Sequence, residues 1–150
     1  MPKPSFPVRD LALAWLVATV FSGAPSTLLA LATGGDPAEA TFAAGRMLVD
    51  SASPVVLFAA AALVHPAVSA FWTLVAALAL SARHITVKAM AFSAGVGLLD
   101  LLLIAPRWFP EVAALAFWPQ MADHLMWGAC LGGTLHALAS RRARHHARHG

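Results

Sequence analysis

The chain has 150 residues, 59% of them hydrophobic and only 11% charged, with a net charge of +3, a pI near 10.0 and a mean hydropathy of +0.72. A soluble domain carries about 25% charged residues. This composition therefore excludes an ordinary soluble enzyme or regulatory domain and points to a chain solvated by lipid.

Four long apolar runs, at about 11–33, 55–80, 85–106 and 112–139, fill most of the length. A helix rises about 1.5 Å per residue, so roughly 20 apolar residues cross the ~30 Å hydrocarbon core. The expectation is an all-α fold. Residues 1–150 form one integral membrane bundle of four transmembrane helices, with a short outer surface helix and a basic cytoplasmic tail at 140–150. Lys3, Arg9 and the small residues Ala30-Leu31-Ala32 also suit a cleaved signal peptide, but the first run exceeds the usual apolar stretch of about 7–15 residues.

In the first run, SGAPST (22–27) interrupts the apolar pattern. Pro25 removes a backbone donor and frees the Phe21 carbonyl, which predicts a kink. The following loop predicts a surface helix over 37–48: Asp36 as N-cap, Pro37 at the first position and Glu39 completing a capping box. The second run carries His65-Pro66 at its middle. In the third, Ala89, Ser93 and Gly97 recur every four residues, a spacing that lets helices approach closely, and Gly128 and Gly132 repeat it in the fourth. Cys130, the single cysteine, reads as a small packing residue. Among the tryptophans, Trp108 and Trp118 alone suit an interfacial belt.

Lys and Arg set the orientation. Lys3, Arg9, Arg83, Lys88, Arg141, Arg142, Arg144 and Arg148 would lie on one side, and only Arg46 and Arg107 on the other. The excess marks the cytoplasm, so both termini are expected there. The tail RRARHHARHG, beside a membrane span, implies anionic lipid rather than nucleic acid. Metal capture by its His145, His146 and His149 is a weaker reading.

Polar residues converge on the outer half. Asp100 lies about 9 Å below the outer end of its run, and Gln120, Asp123 and His124 about 12, 17 and 18 Å below theirs. His65 is about 15 Å and Pro25 about 12 Å deep. Gln120, Asp123 and His124 share one helix face, as do His65 and Ser69. Pro119 predicts a fresh helix start whose free N–H groups face Gln120 and Asp123. A charged Asp at mid-membrane costs roughly 2.5–3.5 kcal/mol, so such residues face a bundle interior or an aqueous cavity. Asp100 is expected to pair with His124 or His65, and Asp123 with the Ser26 or Thr27 hydroxyl, all lining one cavity. Arg107, seven residues above Asp100, either draws an anion or snorkels to headgroups.

The candidate ligand or proton site is thus Asp100, Asp123, His124, His65, Gln120, Ser26 and Arg107. The same His and Asp residues have metal-compatible donors but no local ligand spacing. Haem on His65 with His124, or His84 with His136, fails on helical phase. No cofactor is implied, and no Gly-rich phosphate loop or nucleophile elbow occurs.

With SGAPST, GGDP (34–37), FP (109–110) and ADH (122–124), the chain resembles an uncharacterised family of short bacterial four-helix membrane proteins. It is more remotely similar to YagU-type inner-membrane proteins through His65 followed four residues later by Ser69. The resemblance implies a multi-pass protein of the bacterial inner membrane and carries no activity. Three functions stay open: transport or binding of a small ligand or protons, an embedded enzyme using an Asp–His pair on a lipid-like substrate, and a structural or accessory role. Expected partners are membrane lipid and a small ligand, with homo-oligomerisation open.

Overall fold

The computed structural model describes residues 6–149. They are helical with short connections, and no strand occurs among them.

The first run is two helices, α1 (Val8–Phe21) and α2 (Ala24–Thr33). The expected kink is a full interruption at Ser22-Gly23, because Pro25, in the first turn of α2, has no N–H for the Phe21 carbonyl. Helix α2 ends on Gly34 in the left-handed region (φ 74°), where a residue without Cβ closes the turn and the Gly35 N–H reaches the Ala30 carbonyl at 2.8 Å.

The surface helix α3 spans Glu39–Arg46, shorter than the expected 37–48. Asp36 Oδ1 accepts from the Ala38 N–H at 2.8 Å, and the Asp36 carbonyl accepts from the Glu39 N–H. That turn around Pro37 delays the helix by two residues. Glu39 is then its first residue and cannot close a capping box. Helix α3 lies on α4 (Pro54–Ala79), with Gly45 so near the Leu57 carbonyl that no side chain fits between. Helix α4 runs unbroken through Pro66.

Helix α5 (Ile85–Leu99) passes through a π turn, Asp100–Ile104, into α6 (Ala105–Trp108). A short α7 (Pro110–Ala113) precedes α8 (Phe117–His149), whose 33 residues continue to the end of the basic tail. The break in the fourth run therefore falls at 114–116, and Pro119 sits inside the first turn of α8.

Among the described residues, three segments are long and apolar enough to cross a membrane: Val8–Thr33, Pro54–Ala79 and Ile85–Trp108. Only 17–22% of each is buried, so most of the greasy surface faces outward. Water would not tolerate it; soluble monomers rarely expose apolar patches beyond a few hundred Å². The fourth run differs. Helix α8 is long, but Gln120, Asp123, His124 and His136 dilute its apolar character. It packs along α1 and α5 and against α2, while α1 also meets α4. The polar helix is the one most wrapped by neighbours.

The core is built from small and branched residues: Ala14 and Ala18 of α1, Ala76 of α4, Ile85 of α5, and Trp127, Leu131 and Leu135 of α8, with half-buried Cys130 packed against them. The two small-residue series face each other. A Cβ on Gly128 would collide with Ser93 Oγ and the Ala89 carbonyl, and one on Gly132 with Thr86, Ala89 and Ile85. At Gly133 a Cβ meets nothing. Gly128→Ala should therefore lower stability by about 1–3 kcal/mol through overpacking. Gly133→Ala should be neutral or gain up to about 1 kcal/mol from helix propensity. Thermal unfolding of the two variants in detergent checks the difference in sign.

Candidate functional site

The small-residue contact between α5 and α8 positions the most prominent polar pair. On α8, His124 precedes Gly128 and Gly132 at four-residue intervals; on α5, Gly97, Ser93 and Ala89 run the opposite way. His124 occupies the place opposite Gly97, where its ring lies so close that a Cβ would press on Cγ at 3.0 Å. Across the next turn stands Asp100. His124 Nε2 lies 3.5 Å from Asp100 Oδ2, with the two side chains 24% and 32% exposed. This is the first of the expected pairings.

Asp100 also opens the π turn, in which the Ala105 N–H reaches back five residues to the Asp100 carbonyl. Pro106 follows and donates nothing, so the wider turn uses the last available N–H before it. Single π turns of this kind concentrate at functional positions. No sequence signal other than Pro106 announced it.

Asp123 meets Ser26, as expected, and bonds its backbone as well as lying within reach of its hydroxyl. Its Oδ1 accepts from the Ser26 backbone N–H at 2.9 Å, while the Ser26 hydroxyl turns back to the Gly23 carbonyl. Ser26 is the third residue of α2, so a carboxylate from α8 caps the N-terminus that the Gly23–Pro25 interruption creates. The positive end of the helix dipole and an otherwise unpaired N–H both favour it there. A fresh helix start does occur near Pro119, at Phe117, but the one that holds Asp123 is that of α2.

His65 is exposed and turns toward α1, with Nε2 3.1 Å from the Thr19 carbonyl and 3.2 Å from Ser22 Oγ. A carbonyl only accepts, so in that bond Nε2 carries the proton. Four residues on, Ser69 is 5% exposed and joins three helices. Trp127 Nε1 donates to Ser69 Oγ at 2.9 Å, Ser69 and Thr19 hydroxyls meet at 2.7 Å, and Thr19 Oγ1 donates to the Trp15 carbonyl at 2.8 Å. Indole donates only and each hydroxyl has one proton. The direction is forced: Trp127 to Ser69 to Thr19 to Trp15. Thr73 adds a bond to the Ser69 carbonyl, and Trp15 Nε1 one to the Pro66 carbonyl.

The candidate residues make several contacts, and Asp123 lies within electrostatic reach of both His124 and His65. Asp100 and His124 form a pair, Asp123 and the Ser26 backbone another, and His65 binds α1. Ser26 and Gln120 line an outer cavity of about 180 Å³ between α2, the 33–40 loop and the turn before α8. Asp100, Asp123, His124 and His65 are not in its wall. Arg107 stands exposed, and among the described residues Asp100 pairs with His124 rather than with it. No three His, Cys, Asp or Glu residues among those described share a position suited to a metal ion.

Asp10, unnoticed in the sequence, is 8% exposed and forms an ion pair with Arg142. They stand 132 positions apart, so no local spacing pointed to them. Arg142 of the basic tail is thereby tied to α1 rather than left to lipid.

No family model, curated protein or solved structure matches the chain.

Removing the Ser69 hydroxyl would leave the buried Trp127 N–H without its acceptor. Ser69→Ala should cost about 1–3 kcal/mol, and Trp127→Phe a comparable amount including lost packing. The double variant should cost less than the sum by at least about 0.5 kcal/mol, because the second change removes an orphan already made. Denaturation of all four proteins in one detergent measures the coupling.

Proposed function

We propose that the chain is a four-span protein of the bacterial inner membrane, both termini cytoplasmic, that binds a small ligand or exchanges protons at Asp100 and His124 in its outer half. The observation that carries this reading is the 3.5 Å His124–Asp100 pair, partly exposed and set on a π turn within otherwise apolar helices. Ionisable groups at that depth are costly and mark ligand and proton paths. Helix α8 as a fourth span is supported by its length, about 50 Å for 33 residues. It is supported also by its packing, which turns the polar residues toward α1, α2 and α5.

Binding or exchange from the outer side fits better than passage through the bundle. Beyond Thr73 the interior is apolar, with Phe6, Leu11, Ala76, Leu80, Ile85 and Leu135 closing the space. Among the described residues, no polar side chain besides Thr73 lines that space. A second reading, an enzyme acting on a lipid-like substrate, is favoured by the exposure of the pair at the protein surface, where an acyl chain has access. Membership of the short bacterial membrane family remains part of the proposal, resting on SGAPST, GGDP and ADH.

Asp100→Asn keeps the shape and hydrogen-bonding capacity of the side chain but deletes its charge. The expected result is a variant that inserts, stays folded in detergent and loses at least tenfold of any small molecule co-purifying with the wild type, measured by mass spectrometry. Leu101→Ala should retain it. An accessory role predicts instead that Asp100→Asn loses stability and cellular activity in proportion, with nothing co-purifying in either protein.

The topology is checked separately. Single cysteines at Ala38 and Ala147 in a Cys130→Ser background should react with an impermeant reagent from opposite faces of the membrane. Reaction of both from one face overturns the four-span orientation.

A further inference from the structure

The outer cavity is distinct from the Asp100–His124 pair, and its wall has a chemistry of its own. We propose that it binds a small organic cation, an ammonium group carrying a short apolar body. The acceptors come from two directions. Asp36 and Glu39 belong to the loop after α2 and the first turn of α3, and Thr27 and Gln120 face them from α2 and α8. Leu29 and Leu115 supply the apolar part. The wall contains no Lys, Arg or His.

These acceptors are not consumed within the protein. Asp36 spends Oδ1 on the Ala38 N–H, which leaves its second oxygen. The ion pairs among the described residues are those of Asp10 and Asp100, so neither Asp36 nor Glu39 is neutralised by a side-chain cation. The Gln120 amide and Thr27 hydroxyl make no hydrogen bond to another described residue, although both line the cavity and Gln120 is half-buried. Two carboxylates beside an open amide and hydroxyl attract positive charge and N–H donors and repel anions.

Size and donor set narrow the class. A cavity of about 150 Å³ holds benzene, so about 180 Å³ accommodates a body of similar size. A metal ion fits less well, since no group of three or more His, Cys, Asp or Glu among the described residues is arranged to hold one. Free amines and the ammonium headgroup of an ethanolamine phospholipid share the required chemistry, and the cavity lies at the outer end of the helices where both are present.

The test uses the full chain in detergent and three probes with the same apolar body: n-butylammonium, n-butanol and butyrate, titrated by saturation-transfer NMR. Butylammonium should saturate with a half-saturation at least tenfold below that of butanol, and butyrate should show no saturable binding. Asp36→Asn with Glu39→Gln should remove the advantage of the cation over butanol; Asn retains the acceptor for Ala38, so the turn survives. Thr27→Val, a change confined to one hydroxyl, should weaken butylammonium about threefold while butanol is unchanged. Equal affinity for butylammonium and butanol in the wild type overturns the proposal, as does a cation advantage that survives the double substitution. Nanodiscs with and without phosphatidylethanolamine then separate the two sources. Competition by that lipid identifies a headgroup, and an unchanged half-saturation identifies a free amine. Retention of the co-purifying molecule in Asp100→Asn at intact cation selectivity in this cavity would count against the pair alone, so the two sites are judged independently.

Discussion

Helices α5 and α8 touch backbone to backbone, and the rest of the outer half depends on that closeness. Gly128 stands against Ser93 and the Ala89 carbonyl, and Gly132 against Thr86 and Ile85. In lipid, apolar side chains gain little by meeting one another, so association rests on packing and interhelical hydrogen bonds, and small residues permit both. The same approach brings His124 over Gly97 and, one turn further, within 3.5 Å of Asp100. A bulkier residue at position 97 would push the ring away. The polar pair is therefore a consequence of the stripe of small residues, although its chemistry is different.

A second constraint acts on every polar atom in these helices. Away from water, a polar atom needs a partner within its own helix or in another. Asp123 finds the open end of α2, His65 the carbonyl of Thr19, and Trp127 the hydroxyl of Ser69. All three bonds cross between helices, so they specify where the helices sit as well as satisfying the atoms. Chains in which each hydroxyl has one proton also polarise cooperatively. The order from Trp127 through Ser69 and Thr19 to the Trp15 carbonyl leaves no alternative arrangement.

What could be read in advance follows the range of each interaction. Apolar runs, the break at Pro25, the four-residue spacing of Ala89, Ser93 and Gly97, and the position of Asp100 and His124 in the same half of their runs are local properties, and they were legible. Partners across the fold were only half legible. Depth placed Asp123 near Ser26; the backbone N–H that it also reaches had no sequence signal, because it depends on the turn at Gly23 opening a helix end. Asp10 with Arg142 joins opposite ends of the chain and has no signature in spacing. The π turn and the turn at Asp36 depend on which N–H groups prolines remove, a competition that pattern reading resolves to within a few residues at best. Helix α8 continues through the basic tail, past the end of the apolar run at 139, because the length of an apolar run does not mark where a helix stops.

The two ends of the molecule are built for different tasks. At the end that carries the loop between α2 and α3, prolines and glycines interrupt the helices, and the interruptions create helix ends, a π turn and a cavity. At the opposite end, α1, α4, α5 and α8 meet through Phe6, Leu11, Ala76, Leu80, Ile85 and Leu135, with Thr73 the last polar group lining that space. Asp10 and Arg142 then join α1 to the extension of α8. Opening a path there would require separating an ion pair and parting a dry apolar layer together. A rearrangement at the other end, where the helices are already broken, disturbs neither.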